Sequence, residues 1–361
     1  MGEPENISAT EFALAWHDVK DKDSGWVFYR LPMTSEVLFT GGKLTRNSID
    51  KTIGSGFVIA PFYDQQKELW HIENTLHHKL IDHDFSKLVF EFEPFRQTIK
   101  NEIVSSKENY EKLVRDIIVE IEKGTMKKAV PARAKKISLK ESFSPFTLFE
   151  SLLKSYPNAF VYILSTPQTG TWIGCTPEKL LQVDKNLIST MSLAGTKKTS
   201  EAGSQNFSAK ETEEQDIVTR YIDAILRNFC TNVVSDGPHS VTAGNVTHLA
   251  TNFTGELKQE YIGNYMPILK DLHPTPAVCG IPLNQARNFL LEHEEFDRSL
   301  YSGFMGPMSD HKADIFVNLR CMQLFNQSAL LYAGAGIVSG SIPENEWLET
   351  EEKMNTLLRF L

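Results

Sequence analysis

Cysteine is scarce in this chain, with four in 361 residues. Cys175, Cys230, Cys279 and Cys321 are widely spaced and form no C-x-x-C, so they read as buried free thiols in a reducing cytoplasm. Long apolar runs are missing too. None approaches the roughly 18 residues of a membrane span, so no membrane association is expected. The start, Met1-Gly-Glu-Pro-Glu-Asn6, is acidic and has no apolar core, which argues against a signal peptide. There is no basic excess: 37 Lys and Arg stand against 46 Asp and Glu, a net charge of -9. With no basic stripe carrying interleaved aromatics, a nucleic-acid surface is excluded. No repeat, low-complexity stretch or linker stands out. What is present is apolar content, 41% of the chain, ample for a large core of one or two domains.

Strand-like runs fall at Ser55–Ala60, Lys87–Phe92, Ala159–Leu164 and Ile315–Arg320. Ser328–Ala333 follows the last as a hairpin partner would. Apolar periodicity predicts helices near 106–124, 145–155, 208–230, 283–293 and 346–361. Strands cluster in runs rather than alternating with helices, which favours an α+β fold with mainly antiparallel sheets. Residues 1–100 read as a lobe of the same fold, and 101–361 as the region that carries the chemistry.

Two glutamate pairs dominate the functional reading. Glu211 and Glu214 are three apart, as are Glu346 and Glu349, so each pair shares a helix face. The first face continues through Ile217, Val218, Tyr221, Ile222 and Ile225, and the second through Lys353, Leu357 and Phe360. Carboxylates on an apolar stripe are costly unless neutralised. A hard cation with oxygen ligands, Mg²⁺, would neutralise them. Lys353, four residues after Glu349, suits a cation shared between that carboxylate and a substrate.

Lys128 opens a strand in Lys127-Lys-Ala-Val-Pro-Ala-Arg133. It is either an exposed basic strand start or a lysine aimed into a cleft, activated as a base by burial and by Lys127 and Arg133. Glu178 follows Pro177 on a turn. It is either an acid at a helix N-terminus or a partly desolvated proton donor. Arg320 at a strand end needs an anionic partner, structural or a substrate carboxylate. Glycines at Leu193-Ala-Gly-Thr196 and Tyr332-Ala-Gly-Ala-Gly336 let backbone amides approach an anion. His248 and His273 are candidates near this site, or satisfied core histidines. His71, His77, His78 and His83 match no metal-binding pattern.

These segments occur in a recognisable order. Lys128-Ala-Val-Pro-Ala-Arg133, Thr176-Pro-Glu178, Leu193-Ala-Gly-Thr196, Lys210-Glu-Thr-Glu-Glu214, Val246-Thr-His-Leu249, His273-Pro-Thr-Pro-Ala-Val-Cys-Gly280, Asn318-Leu-Arg320, Ala333-Gly-Ala-Gly336 and Glu346-Trp-Leu-Glu-Thr-Glu-Glu-Lys353 form the set. Over about residues 110–361 the chain resembles the chorismate-utilising enzymes. Within them the segment around Ala277 is similar to isochorismate synthases rather than to aminating relatives. The resemblance implies two layered α+β subdomains, with helices packed outside the sheets and the site in the cleft between. It implies the substrate chorismate and Mg²⁺ held chiefly by Glu214 and Glu349, with Glu211 and Glu346 contributing through water. Lys128 would activate water for attack at C2, and Glu178 would protonate the leaving C4 hydroxyl. Arg320, Lys353 and the amides near Gly195, Thr196, Gly334 and Gly336 would hold carboxylates, with His248 and Ala277 beside the ring. A cytoplasmic monomer or weak dimer with no glutaminase subunit is expected. Salicylate synthase, an aminating synthase and a non-catalytic chorismate binder are the alternatives. Two departures from the family pattern stand out. Gln215 replaces a frequent His, and Pro131 interrupts the strand that begins at Lys128.

Overall fold

The structure, a computed structural model, describes residues 4–80, 85, 105–198, 207–243 and 246–361. Along the chain come β1 (Glu5–Ile7), α1 (Ala9–Val19), β2 (Ser24–Arg30), β3 (Val37–Ser48), β4 (Gly56–Ala60), β5 (Glu68–Glu73) and β6 (Leu76–Leu80). Next are α2 (Lys107–Glu122), β7 (Lys128–Ala129), β8 (Ala132–Ser138), α3 (Pro145–Ser155), β9 (Phe160–Thr166), β10 (Gly170–Thr176), β11 (Lys179–Asp184) and β12 (Leu187–Lys198). Then follow α4 (Ala209–Phe229), β13 (Cys230–Ala243), β14 (Val246–Leu257), α5 (Met266–Leu272), β15 (Gly280–Ile281) and α6 (Leu283–His293). The chain closes with β16 (Phe304–Met308), β17 (Lys312–Val317), β18 (Cys321–Leu324), β19 (Ser328–Gly334) and α7 (Pro343–Leu358).

Local chemistry sets the helix starts. Ser8, Ser106 and Ser144 cap α1, α2 and α3 by accepting from backbone amides of the first turn, which have no intrahelical partner. Pro145 and Pro343 stand in the first turns of α3 and α7, where a missing N–H costs nothing.

The pairings form a ribbon that folds over on itself. One layer runs β1-β6-β3-β2-β9-β10-β18-β19-β8. The other runs β3-β5-β4-β16-β17-β11-β12-β14-β13. Strand β3 belongs to both, pairing with β2 and β6 through its first half and with β5 through its second. Every pairing except β1 with β6 is antiparallel. Residues 4–80 supply interior strands, since β2 lies between β3 and β9, and β4 lies between β5 and β16.

Burial on both faces explains the near-continuous apolar runs. In β9, Phe160, Tyr162 and Leu164 face the core between the layers, while Val161 and Ile163 face the helix side. The inter-layer core joins Phe57, Phe160 and Phe316, the last two stacked at 4.4 Å. Phe12 and Trp16 of α1, Phe146, Phe149 and Leu152 of α3, and Met354 and Leu357 of α7 cover the outer face of the first layer. Val218, Ile222 and Leu226 of α4 join the inter-layer cluster. All four cysteines are free and buried.

The α+β reading with mainly antiparallel sheets and outer helices holds, and α3 and α6 match the predicted 145–155 and 283–293. One pairing differs. The run at 315–320 does not make a hairpin with 328–333. Strand β17 stops at Val317 and pairs with β11 and β16, whereas β18 is the hairpin partner of β19. The physical reason is that residues 318–320 carry the chain from one layer to the other. The run at Lys87–Phe92 and His83 lie outside the described residues.

Phe160→Ala should cost about 3–5 kcal/mol, because the layers cannot close on the vacated ring. Chemical denaturation measures this, and a loss below about 1 kcal/mol would argue against a shared inter-layer core.

Candidate active site

Two crossings between the layers build the centre of the site. The chain leaves β10 through Pro177 and Glu178 into β11, and returns from β17 through Asn318, Leu319 and Arg320 into β18. The crossings are bonded to each other. Val317 N donates to Glu178 O at 3.0 Å, and Cys175 N donates to Arg320 O at 3.1 Å. The Thr176 hydroxyl donates to Val317 O at 2.6 Å. Buried Asn318 accepts from the Tyr162 hydroxyl at 2.6 Å and donates to Leu300 O at 2.9 Å. Arg320 takes φ of 48°, a left-handed turn residue rather than the end of a strand. Glu178 precedes a strand, not a helix, so no macrodipole acts on it.

Glu178 is 3% exposed. Burial pushes its carboxyl up to about 7, against the opposing pull of Lys128, Arg320 and Lys353. It therefore holds its proton near neutrality far more than an ordinary glutamate. Arg320 is also buried and forms no ion pair among the described residues. Its Nε has no hydrogen-bond partner. A guanidinium left in that condition favours an external anion over a structural one.

Lys128 is fully buried and sits in a two-residue strand gripped on both edges. Ile281 and Gly280 of β15 pair with Lys128 and Ala129, and Ala129 exchanges backbone bonds with Ile337. Gly280 has φ of 142°, and a Cβ there would lie 2.3 Å from Lys128 O. The break that Pro131 causes is clamped by the buried Glu294–Arg298 pair. Glu294 accepts from Ala132 N at 2.8 Å, while Arg298 donates to Val130 O at 2.6 Å and Val278 O at 2.9 Å. The Lys128 ammonium lies 3.0 Å from Glu214 Oε1 at an angle that makes no hydrogen bond. The cations expected beside it are turned away. Lys127 is exposed, and Arg133 stacks on Trp347 while bonding Thr350 and Glu351.

The glutamates fall into two groups. Glu214, Glu346 and Glu349 gather around Lys210, which feels all three charges. Glu346 is 1% exposed; burial and the nearby Glu349 push it up to about 7, against Lys210. Burial raises Glu214 as well, but Lys128 and Lys210 outweigh it and hold the carboxyl below its usual range. A Cβ on Gly336 would lie 2.0 Å from Glu214 Oε1, so only glycine leaves that carboxylate its place. Glu211 is the exception. Its carboxylate turns back to Ser208 N at 2.6 Å and to the Ser208 hydroxyl, capping α4. Among the described residues no three acidic, histidine or cysteine side chains stand close enough to hold a metal ion as placed. The donor chemistry nonetheless fits a hard cation: three carboxylates share one lysine, and buried Glu346 Oε2 has no hydrogen bond of good geometry among the described residues.

His248 completes the polar wall. Burial, with Arg320 and Lys353, pushes it well below the usual imidazole range, so the ring is neutral. Arg320 Nη2, which can only donate, lies 3.2 Å from His248 Nε2, so Nδ1 carries the proton toward Thr196 Oγ1 at 3.0 Å. A bulge at Gly195, φ 70°, sets Thr196 opposite His248. Lys353 donates to Gly334 O at 2.8 Å and pairs with Glu349 at 2.6 Å. Gly334 therefore presents a carbonyl to a lysine. Ala277 stands apart, packing on the inter-layer core with its amide bonded to Thr275 at 3.3 Å. His273 is structural, bonding Pro61 O at 3.2 Å and meeting Phe304 edge-on. Gln215 donates to Ser192 Oγ at 2.9 Å behind Glu214. Thr196, Lys210, Glu346 and Glu349 line a cavity of about 520 Å³ that opens to solvent.

A family model described as chorismate binding enzyme matches residues 52–361. The chain belongs to that family. Among its relatives is the chloroplastic isochorismate synthase of Catharanthus roseus, 33% identical over 65% of this chain and 42% of that protein. The vibriobactin-specific isochorismate synthase of Vibrio cholerae serotype O1 is 29% identical over 73% of this chain and 69% of its own length. Among solved structures, the menaquinone-specific isochorismate synthase MenF of Escherichia coli shares the fold. It has a TM-score of 0.75 and 22% identity over 94% of this chain and 90% of that one. The chain thus spans 42% and 69% of the length of these two curated relatives.

In this chorismate binding enzyme the ordered motifs meet in one place: Lys128, Glu178, Glu214, His248, Arg320, Glu346, Glu349 and Lys353 feel one another's charge. Lys210 was not singled out from the sequence. Its signal was available, since it stands four residues before Glu214 on the same helix face.

The raised carboxyl makes a stability prediction. Below about pH 4.5 Glu178 is protonated in both folded and unfolded chains. As pH rises, the unfolded state releases its proton first, so stability is lost up to the folded value of about 7. Glu178→Gln escapes that loss. Its advantage in melting experiments should be near zero at pH 4.5 and grow to about 3 kcal/mol above pH 7. A flat difference between these pH values would place the carboxyl in water.

Proposed function

We propose that this chain isomerises chorismate to isochorismate with Mg²⁺. The observation that carries the reading is Glu178, a buried carboxyl pushed up to about 7 beside a buried lysine and a buried arginine that forms no ion pair among the described residues. A hydroxyl leaves a ring readily only if protonated as its bond breaks, and an acid with that value is matched to the task. Lys128 would act as the general base, taking a proton from the water whose oxygen bonds to C2. The ring double bonds shift, the C4–O bond breaks, and Glu178 delivers the proton to that oxygen. One water enters and one leaves, so no redox partner is needed.

Arg320 supplies a planar fork for a carboxylate, and neutral His248 orients that fork through Nε2. Lys353, tied to Gly334 O, adds a second positive charge. Glu214, Glu346 and Glu349 would hold the Mg²⁺, which when bound supplies positive charge for the ring carboxylate. Glu211, engaged in the α4 cap, is left out of that set.

Incubating the purified chain with chorismate and Mg²⁺ and separating the products tests this reading. Isochorismate as the product supports it. Salicylate with pyruvate, an ammonium-dependent aromatic amine, or binding with no turnover would overturn it. Lys128→Ala and Glu178→Gln should each lower turnover by at least about 10²-fold. Glu214→Ala should raise the Mg²⁺ concentration needed for half-maximal rate, whereas an unchanged titration would remove that ligand.

A further inference from the structure

Each carboxylate assigned to the cation already faces an ammonium of the chain itself. Glu214 faces Lys128 at 3.0 Å, Glu349 faces Lys353 at 2.6 Å, and Glu346 faces Lys210 at 2.5 Å. Two of these lysines are fixed. Lys128 sits in the gripped strand β7, and Lys353 is tied to Gly334 O. Lys210 is different. It stands in the first turn of α4, its only bonded partner among the described residues is Glu346, and its side chain keeps 25% exposure. It also feels all three carboxylates.

A lysine is a poor filler for such a position. Its single ammonium satisfies Glu346 Oε1 and leaves buried Glu346 Oε2 without a hydrogen bond of good geometry among the described residues. A divalent ion with several oxygen ligands would meet that need. The lysine also has room to move, because the solvent-open cavity it lines is shared with Lys197, Ser208, Asn345 and Glu352. Four methylenes allow the head to swing outward while its Cα stays in the helix.

Building on the cation reading above, we propose that Lys210 is a tethered counter-cation that occupies the divalent-ion position in the ion-free enzyme and must swing outward before the ion binds. The tether has two effects. It keeps three neighbouring carboxylates, two of them buried, from repelling one another when no ion is present. It also weakens apparent ion affinity, because the ion finds its position free for only a fraction of the time.

Calorimetric titration of Mg²⁺ into the substrate-free chain tests this. Lys210→Met, which keeps the stem and removes the charge, should bind Mg²⁺ at least about tenfold tighter. Lys210→Arg, which keeps a tethered charge, should bind much as the parent does. Unchanged or weaker binding by Lys210→Met would overturn the proposal. A second measurement needs no variant. Brief acetylation of the parent chain, read by peptide mass spectrometry, should label Lys210 several-fold more when Mg²⁺ is added, as the head moves into solvent. Constant or reduced labelling with Mg²⁺ bound would overturn it. If Mg²⁺ binds neither protein, the cation reading itself falls, a result distinct from equal binding by both.

Discussion

The hydrogen bonds between the two inter-layer crossings are the constraint on which the site depends. A folded-over ribbon of antiparallel strands buries its polar backbone only where strands pair, so a segment passing between layers must find partners elsewhere. Here the crossings satisfy each other, Val317 to Glu178 and Cys175 to Arg320. The side chains at these points have no ladder position and are buried. An acid and a guanidinium are thereby held close together in a dry interior, with Asn318 locking the turn through Tyr162 and Leu300.

Dryness then does the electrostatic work. The same burial raises the Glu178 and Glu346 carboxyls and depresses the His248 imidazole. Glu214, also buried, moves the opposite way because the summed pull of Lys128, Lys210 and Lys353 exceeds the cost of burial. Identical chemical groups thus differ in charge state by environment alone, and a site that needs a proton donor and cation ligands side by side requires that difference.

Much of this was legible in the sequence. Helices α3 and α6 announced themselves through apolar spacing at a period of 3.6, and the inward glutamates showed as polar intrusions on such stripes. The break after Thr176-Pro177 marked Glu178 as a turn residue. What stayed hidden was pairing across long separations. Nothing local says that β17 and β18 belong to different layers, because the three residues between them read as a strand continuing into Arg320. The fate of Glu211 was hidden for a related reason. Spacing places it on the Glu214 face, but Ser208 offers its carboxylate a nearer donor. A lysine four residues from a glutamate ordinarily marks a solvated face, so spacing alone does not place Lys210 among the buried carboxylates.

The clamp over the Pro131 break has a temporal side. Val130 and Arg298 are 168 positions apart in the chain, yet their bond helps fix the strand that bears Lys128. During synthesis β7 emerges long before the segment that grips it. Until residues near 298 leave the ribosome, the lysine is an ordinary hydrated side chain. The chemistry of this protein therefore switches on late, as one event with the closing of its last layers.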